Sequence, residues 1–162
     1  MPPHRIPLTL LDPDGGWVNA PVHVSELHDR PVLLHFWSTN CVSCKEQLPP
    51  LHRLIAEFEP RGLRVIGVHV PLNEDEDALD TNVIEAEARR LNLKHPIAVD
   101  DGSMAQSYGV KAIPAFLVFD KNGELRHQVS GEKALGHLRS ALERAVEAHV
   151  SAPHGDISAA AP

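Results

Sequence analysis

The chain contains only two cysteines, Cys41 and Cys44, which are separated by two residues. They follow an apolar run that predicts a buried strand, and they begin a segment with the periodicity of a helix. The N-terminus of a helix favours a thiolate, because its unpaired backbone N–H groups and its dipole offer positive charge. Cys44 lies one helical turn after Cys41 and on the same face, close enough to form a disulfide. The pair therefore predicts a redox dithiol in which Cys41 attacks a disulfide and Cys44 releases the substrate.

Cysteines at this spacing have other uses, which the rest of the chain disfavours. Two helical cysteines can be inert core residues, and Cys-x-x-Cys is also a zinc-ligand spacing that some of the 11 histidines could complete. No second Cys-x-x-Cys and no His-x-x-x-His pair is present in the sequence, and Lys45 stands where a covalent haem motif requires histidine. We therefore expect neither a metal nor another cofactor.

The length and charge of the chain indicate which kinds of protein it can be. Its 162 residues suit one α/β domain, and a formal net charge of −7 argues against a nucleic acid or an anionic membrane as partner. The sequence near Met1 has no apolar stretch of signal-peptide length, and no run approaches the ~20 apolar residues of a membrane span. We expect a cytoplasmic monomer without membrane insertion, or a periplasmic or extracytoplasmic protein if a leader has been removed. Since both cysteines belong to the motif, a reducing compartment suits the chain.

Apolar runs predict the strands of a central sheet that is buried on both faces. The main runs cover residues 31–36, 63–70, 96–99, 115–119 and 124–129. The last two flank Asn122-Gly123, which is typical of an antiparallel hairpin. Weaker patterns at 17–19 and 22–24 predict short additional strands or a hairpin.

Apolar side chains at three- and four-residue spacing predict helices between these strands. The predicted helices cover residues 41–58, the acidic stretch 73–77 through to about 92, 103–108, and about 132–149. Pro49 and Pro50 should kink the first helix, because proline lacks a backbone donor. The order of elements predicts an α/β fold with a mixed central sheet, helices on both faces and an antiparallel edge hairpin. Residues 1–16 are expected to be an extended lead-in, 17–150 the domain, and 151–162 a disordered tail.

Two segments that lie about seventy residues apart resemble the thioredoxin superfamily. They are Phe36-Trp37 before the two cysteines and the run Gly109-Val110-Lys111-Ala112-Ile113-Pro114-Ala115-Phe116. Within that superfamily the chain is most similar to the TlpA branch, particularly to the thioredoxin-like domains found beside NHL repeats or fused to DipZ-type membrane reductases. The residues that carry this closer likeness are Trp17-Val18-Asn19, residues 36–44, Gly67-Val68-His69 and His95-Pro96. The resemblance implies a thioredoxin-like three-layer fold and a thiol–disulfide oxidoreductase that needs no cofactor.

The resemblance also implies which residues surround the dithiol. It implies a cis peptide bond before Pro114, packed against the cysteines, with the backbone of Ile113 available to pair with an extended substrate. An ordinary trans proline in a turn is the alternative. The implied substrate surface consists of Trp37, Asn40, Val42, Ser43 and Ile113. Thioredoxin has tryptophan and Gly-Pro in place of Asn40 and Val42-Ser43, so substrates and redox potential need not match those of thioredoxin.

His35 stands six residues before the first cysteine, where thioredoxin buries an aspartate that assists proton removal from the second thiol. A neutral imidazole can accept a proton, so His35 is a candidate acid/base group toward Cys44. The alternative is a core histidine whose two nitrogens are both satisfied. The sequence leaves both interpretations open.

Three further residues are candidate acid/base groups. Many TlpA-type reductases place a glutamate after the second central strand, and Glu74 or Glu76 could take that place, although a solvated helix start explains both residues as well. His69 ends the second central strand, and sites on open α/β sheets gather at the carboxyl ends of strands. Packing in the core is the alternative role for His69.

The favoured function is thiol–disulfide exchange on protein or small-molecule disulfides, with reduction as the preferred direction. An electron-donor dithiol protein or a reductase would be needed as partner. A peroxiredoxin-like peroxidase with Cys41 as peroxidatic residue is an alternative, because Ser38 stands three residues before it, although Leu34 occupies the place of the expected proline. A non-enzymatic binding module switched by the dithiol is the other alternative.

Overall fold

The computed structural model of the chain describes residues 16–27, 29–71, 80–131 and 133–160. Six strands form one mixed sheet: β1 Trp17–Val18, β2 Val32–Trp37, β3 Arg64–His69, β4 Ile97–Val99, β5 Ala115–Phe119 and β6 Leu125–Ser130. Their spatial order is β1-β4-β3-β2-β5-β6. The central strands β2, β3 and β4 are parallel, whereas β1, β5 and β6 run antiparallel to their neighbours. The predicted mixed sheet with an antiparallel edge hairpin is confirmed.

Helices cover both faces of this sheet. They are α1 Val42–Glu46, α2 Leu48–Phe58, α3 Thr81–Arg90, α4 Ser103–Ser107 and α5 Leu135–Ala160, with 3-10 turns at Val24–Leu27 and Glu59–Arg61. One core cluster joins the sheet to α1, α2, α3 and α5, and a second joins the opposite face to α4 and the first 3-10 turn. The three-layer fold of the thioredoxin superfamily is thereby confirmed. No helix within the described ranges is both long enough and apolar enough to cross a lipid bilayer.

The helix predicted over residues 41–58 is broken at Gln47, which ends α1 and caps α2. Pro49 and Pro50 fall in the first turn of α2, where the backbone N–H groups have no partner inside the helix, so the missing donors cost little. Instead of the expected kink, the helix is interrupted completely at Gln47, one residue before α2 begins. Its apolar stripe, which includes Leu51 and Leu54, packs into the first core cluster.

Two predictions at the ends of the domain differ from the structure. Residues 22–24 form no strand, because a 3-10 turn begins at Val24, and Val22 and Leu27 instead pack into the second core cluster. The last helix continues to Ala160, although a disordered tail was predicted over 151–162. The expected lead-in lies outside the described residues except for Gly16.

Gly67 lies inside β3, between its register partners His35 in β2 and Ile97 in β4. A Cβ atom at this position would lie 3.2 Å from His95 Nε2, 3.2 Å from Ile97 Cγ1 and 3.3 Å from Trp37 Nε1. The absence of a side chain therefore lets three neighbours fill the space above the strand. Glycine inside a strand is typical of such a close approach.

We expect Gly67→Ala to lower the free energy of unfolding by about 1–3 kcal/mol, because the added methyl group overpacks a buried site. Gly136→Ala is the matched control, since it lies in α5 with no atom within 4 Å of the added Cβ and alanine favours helix. Urea unfolding of both variants against the parent protein measures the difference. An unchanged midpoint for Gly67→Ala would show that the neighbours move aside freely.

Candidate redox-active site

Cys41 and Cys44 are joined by a disulfide, with their Cα atoms 5.3 Å apart. Cys41 is the N-cap residue of α1, with an extended backbone, and its Sγ accepts a hydrogen bond from the backbone N–H of Cys44 at 3.1 Å. Cys41 is 7% exposed and Cys44 is 2% exposed. Both residues belong to the first core cluster, and Cys41, at the helix start, is the slightly more exposed of the two.

The segment between β2 and Cys41 is held by the end of β3. The N–H of Val70 donates to the carbonyl of Trp37 at 2.9 Å, and the N–H of Thr39 donates to Nε2 of His69 at 3.1 Å. The N–H of Cys41 in turn donates to the carbonyl of Ser38 at 3.2 Å. These three bonds place the first cysteine relative to the sheet.

His69 is fully buried, and its ring meets that of Trp37 edge to face with centroids 5.0 Å apart. Because Nε2 accepts the hydrogen bond from Thr39, the neutral tautomer with its proton on Nδ1 is assigned from this contact. The lone pair that proton transfer would require is thus engaged in holding the loop. This contact supports a structural role for His69 in holding the dithiol loop, while its role as an acid/base group stays a prediction.

The side chains predicted to contact substrate divide into a buried one and four accessible ones. Trp37 is only 1% exposed, because it is the last residue of a strand covered on both faces. This burial disfavours direct contact with substrate, and the role of Trp37 stays a prediction. Val42 is 69% exposed, Asn40 is exposed, and Ser43 and Ile113 are half-buried. These four remain the candidates for contact with substrate.

The peptide bond between Ile113 and Pro114 is cis. The carbonyl of Pro114 accepts a hydrogen bond from the N–H of Gly131 at 2.9 Å, and the carbonyl of Gly131 accepts one from Nε2 of Gln47, also at 2.9 Å. The proline loop is thereby linked through the end of β6 to the break that follows the dithiol helix. The side chain of Ile113 packs against both core clusters, one of which contains the two cysteines.

The backbone before the cis bond has unused hydrogen-bonding capacity. Within the described part of the chain, the N–H and C=O groups of residues 111–113 make no hydrogen bond, whereas Val110 donates to Ala105 and Pro114 accepts from Gly131. An extended polypeptide could pair with such a segment as with a sheet edge.

His35 is 1% exposed and its ring stacks on Phe116, with centroids 5.0 Å apart and planes within 7°. Strand alternation places it on the same face of β2 as Leu33 and Trp37, the face covered by the cluster that contains both cysteines. Burial, with the nearby charges of His95 and His52 adding to it, lowers the pKa of His35 to about 3. The ring is therefore neutral at physiological pH. Its Nδ1 has no hydrogen-bond partner among the described residues, so it is not the fully satisfied core histidine of the alternative interpretation.

His95 is a half-buried histidine near the same face, which the sequence analysis cited only as part of a family resemblance. Its Nε2 points toward Gly67, and burial, with the charge of His52, lowers the pKa of His95 to about 4. In the sequence, Gly67 could have indicated this contact, because a glycine inside a buried strand indicates that another group approaches closely. Glu74 and Glu76 lie outside the described residues.

The sequence is similar to those of known oxidoreductases. The AhpC/TSA family model matches residues 6–128. Thiol-disulfide oxidoreductase YkuV of Bacillus subtilis (strain 168) is 33% identical over 142 residues, which are 86% of this chain and 94% of that protein. Thiol-disulfide oxidoreductase ResA of Bacillus thuringiensis (strain Al Hakam) is 26% identical over 125 residues, or 76% of this chain and 68% of that protein.

The structure is also similar to a solved one. A solution structure described as a thioredoxin-like protein in the oxidized form superimposes with a TM-score of 0.76 and 31% identity. The match covers 89% of this chain and 95% of that one. The likeness therefore extends through nearly all of both folds.

We expect His35 to make the protein sensitive to acid. The folded state keeps the pKa of His35 at about 3, below the ordinary value of 6.5, so the unfolded chain binds a proton between these pH values that the folded chain does not. Stability therefore falls as the pH drops from 6.5 toward 3, by at most about 1.4 kcal/mol per pH unit for this group. Between about pH 7 and about pH 5, His35→Asn should lose about 2 kcal/mol less stability than the parent protein.

Urea unfolding at the two pH values measures this loss, each protein being compared with itself at neutral pH. The exposed His137 supplies the control His137→Asn, which should lose as much stability as the parent. Equal losses for His35→Asn and the parent would contradict a neutral buried ring. His95 acts in the same direction down to about pH 4 and remains present in every variant.

Proposed function

Since the chain belongs to the AhpC/TSA family and is a thiol–disulfide oxidoreductase of the TlpA-like branch of the thioredoxin superfamily, we propose that it reduces disulfides of polypeptide substrates. The observation that carries this proposal is the placement of the two sulfurs. Cys41 lies at the start of α1 beside the exposed Val42 and is 7% exposed, whereas Cys44 lies within α1 and is 2% exposed. In such a pair the first thiolate can attack a substrate disulfide, and the second can later attack the mixed disulfide that results.

The proposed reaction consists of two exchanges. The thiolate of Cys41 attacks one sulfur of the substrate disulfide, a mixed disulfide forms, and the other substrate sulfur leaves as a thiolate. The thiolate of Cys44 then attacks Sγ of Cys41, the intramolecular disulfide forms, and the second substrate sulfur leaves. Two electrons pass from the dithiol to the substrate, whose thiolates take up protons from solvent or from the protein. A donor dithiol protein or a reductase reverses both steps on the enzyme.

We propose that the segment before Pro114 holds the substrate during these exchanges. Its support is the unused backbone of residues 111–113 together with the half-buried Ile113, which packs against the cluster that contains both cysteines. Two hydrogen bonds, from Gly131 to Pro114 and from Gln47 to Gly131, hold this segment beside the dithiol helix. Asn40, Val42 and Ser43 would form the remainder of the contact.

We further propose that His35 receives the proton of Cys44 as that thiol becomes a nucleophile. The supporting observations are its position on the face that packs against the cysteine cluster and its Nδ1, which lacks a partner among the described residues. A ring whose pKa is near 3 is a weak base, so it would hold the proton only in passing. Glu74 and Glu76 remain alternative candidates for this step.

The reducing direction is supported by how little the protein does to stabilise the Cys41 thiolate. A dithiol oxidises its partners strongly when its reduced form is stabilised. Here α1 has only five residues, one backbone N–H among the described residues donates to Sγ of Cys41, and the buried His35 is neutral. We therefore place the protein in a reducing compartment such as the cytoplasm, acting as a monomer, with an extracytoplasmic site as the alternative.

We expect Cys41→Ser to abolish reduction of a disulfide peptide, and Cys44→Ser to accumulate a mixed disulfide with that peptide, because attack needs the first sulfur and release needs the second. Single-turnover mixing of pre-reduced protein with the peptide, followed by mass spectrometry, identifies the trapped species. Accumulation on Cys44 instead would reverse the two roles. Consumption of hydrogen peroxide without peptide reduction would favour the peroxidase.

We expect the reduction potential of the Cys41–Cys44 couple to lie near or below about −250 mV, close to the range of thioredoxin. Equilibration with glutathione or dithiothreitol buffers of known ratio measures it, with the doubly substituted Cys41→Ser, Cys44→Ser protein as the blank. A value above about −150 mV would identify an oxidant and contradict the proposed direction.

A further inference from the structure

A groove of about 550 Å³ lies between the dithiol segment and α3. Asn40 and Lys45 line one side of it, and Val83, Glu87 and Arg90 line the other. Since Asn40 precedes Cys41 directly and Lys45 follows Cys44 directly, the groove borders the dithiol itself. We call it the α3 groove.

Among the charged groups of the α3 groove, the carboxylate of Glu87 is the least exposed. Glu87 is 17% exposed, whereas Lys45 is 33% exposed and Arg90 is 63% exposed. Lys45 Nζ lies 2.9 Å from Glu87 Oε2, and the guanidinium of Arg90 donates to Oε1 at 3.0 Å and to Oε2 at 2.6 Å. Both carboxylate oxygens therefore already accept from cations of the same groove.

The hydrogen-bonding capacity that remains in the groove is on the cations. An arginine side chain has five N–H donors and a lysine ammonium has three, and the contacts with Glu87 use only some of them. The three side chains together carry one net positive charge, on a chain whose formal net charge is −7. A carboxylate entering the groove would find free donors, whereas an ammonium group would find a carboxylate that is already occupied.

Two apolar side chains border the same region. Val42 at 69% and Val83 at 37% are the large hydrophobic residues that are exposed among those the structure describes. Val42 is the neighbour of Cys41, and Val83 lines the groove. Apolar surface beside spare cationic donors suits a polypeptide better than a small hydrophilic disulfide.

We propose that the α3 groove selects polypeptide substrates that carry an acidic side chain within a few residues of the reactive cysteine. The substrate carboxylate would bind the free donors of Arg90 and Lys45 while its cysteine meets Cys41. This inference rests on the proposed reductase function and names the substrate class for the same site. Because the contacts are exposed, their effect should be modest and should depend on salt.

The test compares three disulfide peptides that are identical except for glutamate, glutamine or lysine beside the reactive cysteine. Pre-reduced protein is mixed with each peptide under single-turnover conditions at low ionic strength. The quantity measured is the second-order rate constant for reduction of the peptide. The parent protein should react about two- to fivefold faster with the glutamate peptide than with the lysine peptide. At about 1 M salt the ratio should approach one, because the screening length falls to about 3 Å.

Arg90→Glu should bring the ratio of the glutamate to the lysine rate constant to one or below. Arg53→Glu makes the same charge change at an exposed position of α2 and should leave the ratio as in the parent. A parent ratio of one at low salt, or an equal shift in both variants, would overturn the inference. If the parent fails to reduce even the glutamine peptide, the proposed function itself is wrong, so the two failures are distinguishable.

Discussion

Both edges of β2 are paired, with β3 on one side and β5 on the other, and the position of the dithiol depends on this arrangement. All six residues of the strand are buried. A slip of one residue would turn every side chain to the opposite face, so two packed core clusters fix the register. The strand ends at Trp37, and the bonds from Val70 and Thr39 to this end of the sheet leave Cys41 little freedom.

The face of β2 beneath the dithiol is largely apolar, and the histidines on it and near it are uncharged. Desolvation is the largest cause of the lowered pKa of both His35 and His95, so neither ring keeps a proton at neutral pH. No fixed charge from these two residues therefore acts on the cysteines from below. The charges near the dithiol that the structure does show lie at its rim, in the α3 groove, where solvent screens them.

The break between α1 and α2 joins parts of the site that are distant in the sequence. Pro49 and Pro50 require a helix to begin just before them, which leaves Gln47 at the junction of two helices. Its amide reaches Gly131, which in turn donates to the carbonyl of Pro114. A local consequence of two prolines therefore helps to hold the loop of Pro114 beside the dithiol helix. The interruption of the helix was predictable from the prolines. The link from Gln47 to the loop was not, because Pro114 and Gly131 lie 67 and 84 residues away from Gln47.

The sequence by itself determined the chemistry and most of the architecture: the dithiol spacing, the buried strand before it, the hairpin and the order of strands and helices follow from local patterns and residue chemistry. It also placed Asn40 and Val42 at the surface beside Cys41. Only the tertiary structure decided the surroundings of Trp37, His69 and His95. Trp37 is enclosed because both faces of β2 are covered, His69 holds the loop because β3 ends beside it, and His95 fills the space that Gly67 leaves open. Burial and long-range pairing depend on neighbours that no local pattern specifies, which is why these three assignments required the folded chain.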